Sequence, residues 1–431
     1  MGRILIVHYH LNPGGVTRII ESQVAALINW LPGINILVLT GHCANQGFFK
    51  DLGVKLLLNE NLNYLSSDAS ISGTYKALRD FFRELLESGD ILHVHNLNLG
   101  KNPVLTCIIS ELAYSGYSVV NHAHDFAEDR PGNLEVMKNI TSELSDRPLG
   151  DILYPRLENV AHACLNTPDK ERLKMYGADP GKIFLLPNPV IFNLSGKEPD
   201  HKNLKGNICD RLGIDPEKLL ITYPVRVIRR KNIGEYILLC RLFMSEASWL
   251  VTQPPKNPAE IIPYEEWKQF CADEDIPVIF EAGLKVDFAE LIMASDLCFT
   301  TSIKEGFGMV YMEPWLLGTS VIGRDLPNIT NDLEQSGMEF PLLYERLAVM
   351  RENRESDFGM LAMQEQMNYI REVKHDPRKE NELKRANPFL KNLLNSVDTK
   401  IIDKNKNTII KEYSLENYAQ RLERLYKEIT E

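Results

Sequence analysis

Glu305 and Glu313 lie eight residues apart, and the residues between them open with Gly306-Phe307-Gly308-Met309-Val310. Upstream, Asp296–Thr300 is short, apolar and bounded by polar residues, the pattern of a buried parallel strand. Downstream, Met312–Leu317 carries Pro314 in what reads as a first helical turn, where proline is tolerated. Strand, glycine-rich loop and helix start, in that order, mark the carboxyl edge of an open α/β sheet, where ligands bind. Free N–H groups there accept an anion, and two glycines let it approach the main chain. Carboxylates repel phosphate, so Glu305 and Glu313 suit hydroxyls instead, as on a sugar or a ribose. The plain alternative is a loop bearing two solvated acids, which a short motif alone does not exclude.

Three further clusters carry chemistry. Arg226, Arg229, Arg230 and Lys231 fall within six residues, directly after the strand-like Leu219–Val225. At the carboxyl end of the same sheet as the Glu305 loop, such cations neutralise a diphosphate; the alternative is a solvated charge run. Gly14-Gly15 follows the strand Arg3–Tyr9 and opens a helix, a second place where phosphate can sit, although the full dinucleotide fingerprint is missing. His93, His95, His122 and His124 stand at two strand ends, and residues i and i+2 of a strand share a face. They match no established metal-ligand spacing and fit better as polar groups lining a ligand crevice.

The elements that position these groups alternate twice. Strands are expected at Ile34–Thr40, Val54–Leu58, Asp90–Asn96, Ser118–Asp125, Val160–Asn166 and Lys182–Leu186, with helices between them. The polar stretch 191–216 reads as an interdomain linker. A second alternation follows from Leu219 to Gly323, and residues 343–411 lack a parallel-sheet pattern and read as a helical annex. In Ser414–Ile429, Tyr418, Leu422, Leu425 and Tyr426 form one helical stripe.

A chain of 431 residues with 44% apolar and 25% charged residues is an ordinary globular protein of two or three domains. A net charge of −11 argues against nucleic acid as a partner and disfavours, without excluding, an anionic membrane. The seven cysteines are scattered and form no C-x-x-C pair, which suits a reducing compartment. No apolar run approaches the ~18–20 residues of a membrane span. The chain enters a strand at once, so a cytoplasmic protein without a signal peptide is expected.

Taken together, the E-x7-E element with its internal Gly-Phe-Gly, Arg226 and Lys231 five apart, Asp90–His95, His124-Asp125 and Pro187-Asn188 resemble the retaining nucleotide-sugar glycosyltransferases of the GT-B fold, family 4. The resemblance runs from Gly14-Gly15 to the terminal helix and is weakest over 343–411. It implies two Rossmann-like doubly wound domains facing a central cleft, the first over 1–195 and the second over 215–410, with 411–431 a helix returning to the first. It implies that Arg226 and Lys231 grip the donor diphosphate and that Gly306, Phe307, Gly308, Met309 and Val310 offer N–H groups to phosphate and sugar. By the same resemblance Glu305 binds sugar hydroxyls, Glu313 the ribose diol, His124 the donor sugar, and Gly14 and Gly15 the phosphate from the opposite domain. Val225 and Asn232 stand where the family commonly has glycine, and Pro314 where a small residue is common, which bears on loop geometry more than on chemistry.

The implied reaction moves a hexose, glucose or mannose, from a nucleoside-diphosphate sugar to a small soluble hydroxyl acceptor: a sugar, a sugar phosphate or a hydroxy acid. Cationic and N–H donors stabilise the leaving diphosphate, so neither metal nor other cofactor is expected. Two other classes stay open: a membrane-surface transferase of polysaccharide or glycolipid synthesis, and a sugar-nucleotide epimerase or non-catalytic binder.

Overall fold

The computed structural model describes residues 2–191, 200–351 and 354–430. The chain divides into two units, residues 1–191 with 413–431, and residues 192–412. Each is built on a parallel sheet, as apolar runs separated by helices require.

The first sheet contains β1 (Ile4–His8), β2 (Ile36–Thr40), β3 (Lys55–Leu58), β4 (Ile91–His95), β5 (Ser118–Ala123), β6 (Val160–Cys164) and β7 (Ile183–Leu185). Their spatial order is β3-β2-β1-β4-β5-β6-β7, all parallel. The order reverses between β1 and β4, so the loops after β1, β4 and β5 gather at one carboxyl edge. The helix Gly15–Trp30 buries Ile20, Val24 and Leu27 against one face. The terminal helix Leu415–Glu428 packs on it through Tyr418, Leu422, Leu425 and Tyr426, all fully buried. Each such side chain contributes at most roughly 1.5–3 kcal/mol. Ser414 caps this helix by accepting from the Asn417 N–H, so the return to the first unit begins where the sequence places a cap.

The second sheet contains β8 (Leu219–Arg226), β9 (Ala247–Gln253), β10 (Val278–Ile279), β11 (Leu297–Thr300), β12 (Ser320–Arg324) and β13 (Leu343–Tyr344), in the order β10-β9-β8-β11-β12-β13. Two expectations are corrected here. The stretch 191–216 is not a plain linker: it holds the helix His201–Leu212, which buries Ile208 and Cys209, with Ile208 in one apolar cluster with Leu220 and Leu291. Lysine, asparagine and aspartate on its outer face hid the stripe; residues 192–199 lie outside the described residues. Nor is the segment from 343 wholly helical. Leu343–Tyr344 adds the edge strand β13, and β14 (Ala348–Arg351) pairs antiparallel with β15 (Arg354–Asp357) before the helix Met363–His375. Strands of two to four residues, one of them wholly polar, are too short to show a period.

Candidate functional site

In the second unit the basic loop after β8 and the loop after β11 meet. Lys231 Nζ and Glu305 Oε1 form an ion pair, while Arg230 Nη1 donates to Glu305 Oε2 at 2.7 Å and to the Lys304 carbonyl at 2.8 Å. Both side chains of the central pair are sheltered, Lys231 to 10% and Glu305 to 6% exposure. Burial by itself would raise the Glu305 carboxyl, but Lys231 and Arg230 outweigh it and hold that carboxyl below the usual range. Burial also lowers the Lys231 ammonium, against the pull of Glu305.

The backbone under this pair is fixed from the core. Thr301 Oγ1 donates to the carbonyls of Lys231 and Asn232, each at 2.9 Å, and the Tyr223 hydroxyl also reaches the Lys231 carbonyl. Asn232 sits at φ +55°, in the left-handed region that asparagine tolerates better than most residues. Asparagine can therefore stand where glycine is common. Its amide is tied on both sides, donating to Glu235 Oε2 at 2.9 Å and accepting from Gln366 Nε2 at 3.0 Å.

In the second loop the glycines differ. Gly308 has φ +87°, and a Cβ there would lie 2.3 Å from Ile329 Cγ2, so the fold itself requires glycine. A Cβ at Gly306 would meet no atom within 4 Å. Met309–Tyr311 makes a single 3-10 turn, and Glu313 opens a short helix with Pro314 in its first turn, so the proline is accommodated without strain. Glu313 is half-buried and its charge acts on Lys231. Arg226 is exposed at the end of β8, its Nε donating to Gln253 Oε1 at 3.1 Å; among the described residues no hydrogen bond or ion pair joins it to Lys231 or Glu305. Arg230 is the member of the cluster that residue types alone did not single out; within a run of four cations, only geometry tells which ones face a carboxylate. A cavity of about 620 Å³ opens beside the basic loop, walled by Val227, Ile228, Tyr264, Trp267 and Met363 with Arg229 at its side. That volume is in the range of small-molecule pockets.

In the first unit, His124 stands just past β5. Asn96, at φ +59° after β4, turns its Oδ1 to accept the N–H groups of His124 (2.8 Å) and Asp125 (3.0 Å). Gly14 is extended, and a Cβ at Gly15 would meet no atom within 4 Å. The other histidines do not line a crevice as expected. His93, His95 and His122 are fully buried, because the helix Gly15–Trp30 and the terminal helix cover their face of the sheet. Gln23 and Tyr426 from those helices are their partners: Tyr426 Oη lies 2.9 Å from His93 Nδ1, and Gln23 Oε1 2.8 Å from His95 Nε2. One nitrogen of each of the three lies within 4.8 Å of the others. Both nitrogens of His95 are already hydrogen-bonded, to Gln23 and to His124, so a cation there would have to displace one of them.

Burial lowers three histidines of this unit, His8 and His162 to about 4 and His122 to about 3. In the unfolded chain they titrate near ~6.5. Below that pH the unfolded state binds protons that the folded state refuses. Stability is therefore lost as pH falls from about 6.5 towards the folded values. The expected loss at pH 5 is about 2 kcal/mol for each of the three. Urea midpoints for the first unit at pH 7.5 and 5.0 check this; equal midpoints contradict it.

No protein-family model matches the chain. It is similar to a mannosylglucosyl-3-phosphoglycerate synthase of Petrotoga mobilis, 30% identical over 338 residues covering 73% of this chain and 63% of that protein. It is also similar to a mannosylglucosylglycerate synthase of the same organism, 23% identical over 61% of this chain and 66% of that one. The chain spans less than two thirds of the length of either relative. Among solved structures, Anabaena HepE in complex with UDP and glucose superposes with a TM-score of 0.61 at 16% identity, covering 98% of this chain and 99% of that one. The fold is the GT-B fold of glycosyltransferases.

Proposed function

We propose that the protein is a glycosyltransferase that moves a hexose from a nucleoside-diphosphate sugar to a small hydroxyl acceptor bearing an acid or phosphate group. The observation that carries this reading is the cluster of Lys231, Arg230 and Glu305 beside Gly306–Gly308 at the carboxyl edge of the second sheet. Cations next to N–H donors suit a diphosphate, and a carboxylate held ionised suits sugar hydroxyls. Neither packing nor backbone conformation demands glycine at Gly15 or Gly306, whereas a ligand drawn against the main chain does. The acceptor class follows from the relatives, whose names join mannose and glucose to glycerate or phosphoglycerate.

In the reaction, the bond from the anomeric carbon to the diphosphate oxygen breaks as the acceptor oxygen bonds to the same carbon. The acceptor proton passes to the departing phosphate. Attack on the same face retains the anomeric configuration and needs no carboxylate nucleophile, unlike double displacement. Lys231 and Arg226 stabilise the charge on the leaving group, Glu305 orients the hexose, Glu313 takes the ribose diol, and His124 meets a sugar hydroxyl. The mechanism so written uses no metal, and a cytoplasmic setting agrees with seven free, buried cysteines. Among the described residues no helix is long and apolar enough to cross a membrane.

A thermal-shift panel of UDP, GDP and ADP and their sugars tests the reading. A ligand at 100 times its Kd stabilises the folded state by about 2.7 kcal/mol. One nucleotide should raise Tm and its sugar should release diphosphate only when acceptor is added. Isomerised sugar from donor alone would favour an epimerase, and no shift with any nucleotide would overturn the reading. The anomeric coupling of the product decides retention.

A further inference from the structure

We infer that Gln23 sets which nitrogen of His124 carries the proton, leaving His124 Nδ1 as a hydrogen-bond acceptor for a sugar hydroxyl. The second half of this statement rests on the transferase reading; the first does not. Gln23 lies in the middle of the helix Gly15–Trp30 and is fully buried. Its two amide atoms face opposite ways. Nε2 points to His93 Nδ1 at 3.1 Å and donates to Tyr426 Oη at 3.0 Å, and Oε1 faces His95 Nε2 at 2.8 Å.

A carbonyl only accepts, so His95 must carry its proton on Nε2. A neutral imidazole has one N–H, which leaves His95 Nδ1 with a lone pair. That lone pair lies 2.9 Å from His124 Nε2, which must then be the donor. The remaining nitrogen of His124, Nδ1, is left without a proton, and among the described residues no hydrogen bond engages it. Each ring is kept neutral, because burial and the neighbouring imidazoles disfavour the imidazolium. With its backbone N–H held by Asn96 and its ring held by His95, His124 presents a fixed acceptor at the carboxyl edge of the first sheet. A hydroxyl of a sugar can donate to it; a group that only accepts cannot.

Gln23 is a positioning residue in this scheme, acting through His95. Tyr426 completes the chain: its hydroxyl accepts from the nitrogen end of the Gln23 amide and lies 2.9 Å from His93 Nδ1, which joins the network to the terminal helix.

Long-range ¹H–¹⁵N correlation on the free protein labelled with ¹⁵N-histidine reads the tautomer directly, with His124→Asn supplying the assignment. The wild type should show His124 with its proton on Nε2. Gln23→Met, which removes the acceptor, should give a mixture of both tautomers. Gln23→Glu restores an acceptor against His95 and should restore the single form. In turnover, a donor or acceptor sugar with one hydroxyl replaced by fluorine, which accepts weakly and does not donate, should lose at least about 10-fold in kcat/KM at one ring position. That discrimination should shrink in Gln23→Met and return in Gln23→Glu. A proton on Nδ1 of His124 in the wild type, or a tautomer unmoved by Gln23→Met, overturns the assignment. Should Gln23→Met fail to fold, Gln23→Leu, which also removes the acceptor at similar volume, takes its place, and a wild-type spectrum with the proton on Nδ1 overturns the assignment by itself. If the tautomers behave as stated but no nucleotide sugar is turned over, the transferase reading fails and the tautomer assignment stands.

Discussion

Lys231→Ala is expected to lower kcat/KM for the nucleotide-sugar donor by about 10²-fold or more, the scale for removing one preorganised electrostatic group. Lys231 is held for this task by bonds that alanine leaves in place, since the loop is anchored through its carbonyl by Thr301 and Tyr223. Glu305 keeps Arg230 as a partner at 2.7 Å, so the carboxylate is not stranded when the lysine goes. Most of the loss should appear in kcat, because charge on the leaving diphosphate grows as the bond breaks. Arg226→Ala is expected to lower kcat/KM by a similar factor with less effect on stability, as its side chain is exposed and bonds only Gln253 among the described residues. Steady-state kinetics of both variants beside their melting curves separate lost chemistry from lost folding. Near-wild-type rates in both would remove the leaving-group assignment.

The parts of this arrangement that could be read from residues are those where one local rule dominates. Apolar runs such as Ile4–His8 and Leu297–Thr300 announce buried parallel strands, and the glycine-rich loop after the second falls at the carboxyl edge of its sheet. The stripe Tyr418, Leu422, Leu425 and Tyr426 announces a helix with something to cover. What stayed hidden depends on contacts distant in sequence. Arg230 and Glu305 are 75 residues apart, and nothing in either neighbourhood marks them as partners. The histidines look like a crevice lining because strand alternation gives their face but not what covers it. Gln23 is 70 residues from His93, and Tyr426 is 333. The helix His201–Leu212 was masked by its polar composition, and β13 by having two residues.

The largest loss of stability in the second unit is expected from Arg324→Met. Arg324 ends β12 with its side chain 4% exposed, between Glu235 and Asp357. Its Nε reaches Glu235 Oε1 at 3.2 Å, and its two terminal nitrogens reach the two oxygens of Asp357 at 2.7 Å each. The Tyr344 hydroxyl adds a bond to Glu235 Oε1 at 2.6 Å, and Asn232 one to Oε2. Glu235 itself is fully buried. Methionine can fill much of the volume but leaves that carboxylate without its cation, which costs about 3–5 kcal/mol in comparable buried pairs. The damage should travel, because Glu235 also holds Asn232, and Asn232 at φ +55° fixes the turn that presents Lys231. Arg324→Met combined with Glu235→Leu removes the buried pair and leaves Asp357, whose side chain is 20% exposed, to water. It should regain part of the stability, since an apolar replacement of a buried pair is often neutral. Activity should stay low in the double variant, as Asn232 then loses Glu235 and keeps only Gln366. Denaturant unfolding of the single and double variants, followed by a probe in the second unit such as Trp249 or Trp267, measures the first effect, and turnover the second. A single variant destabilised by less than about 1 kcal/mol would mean that the network does not stabilise the unit as its geometry implies.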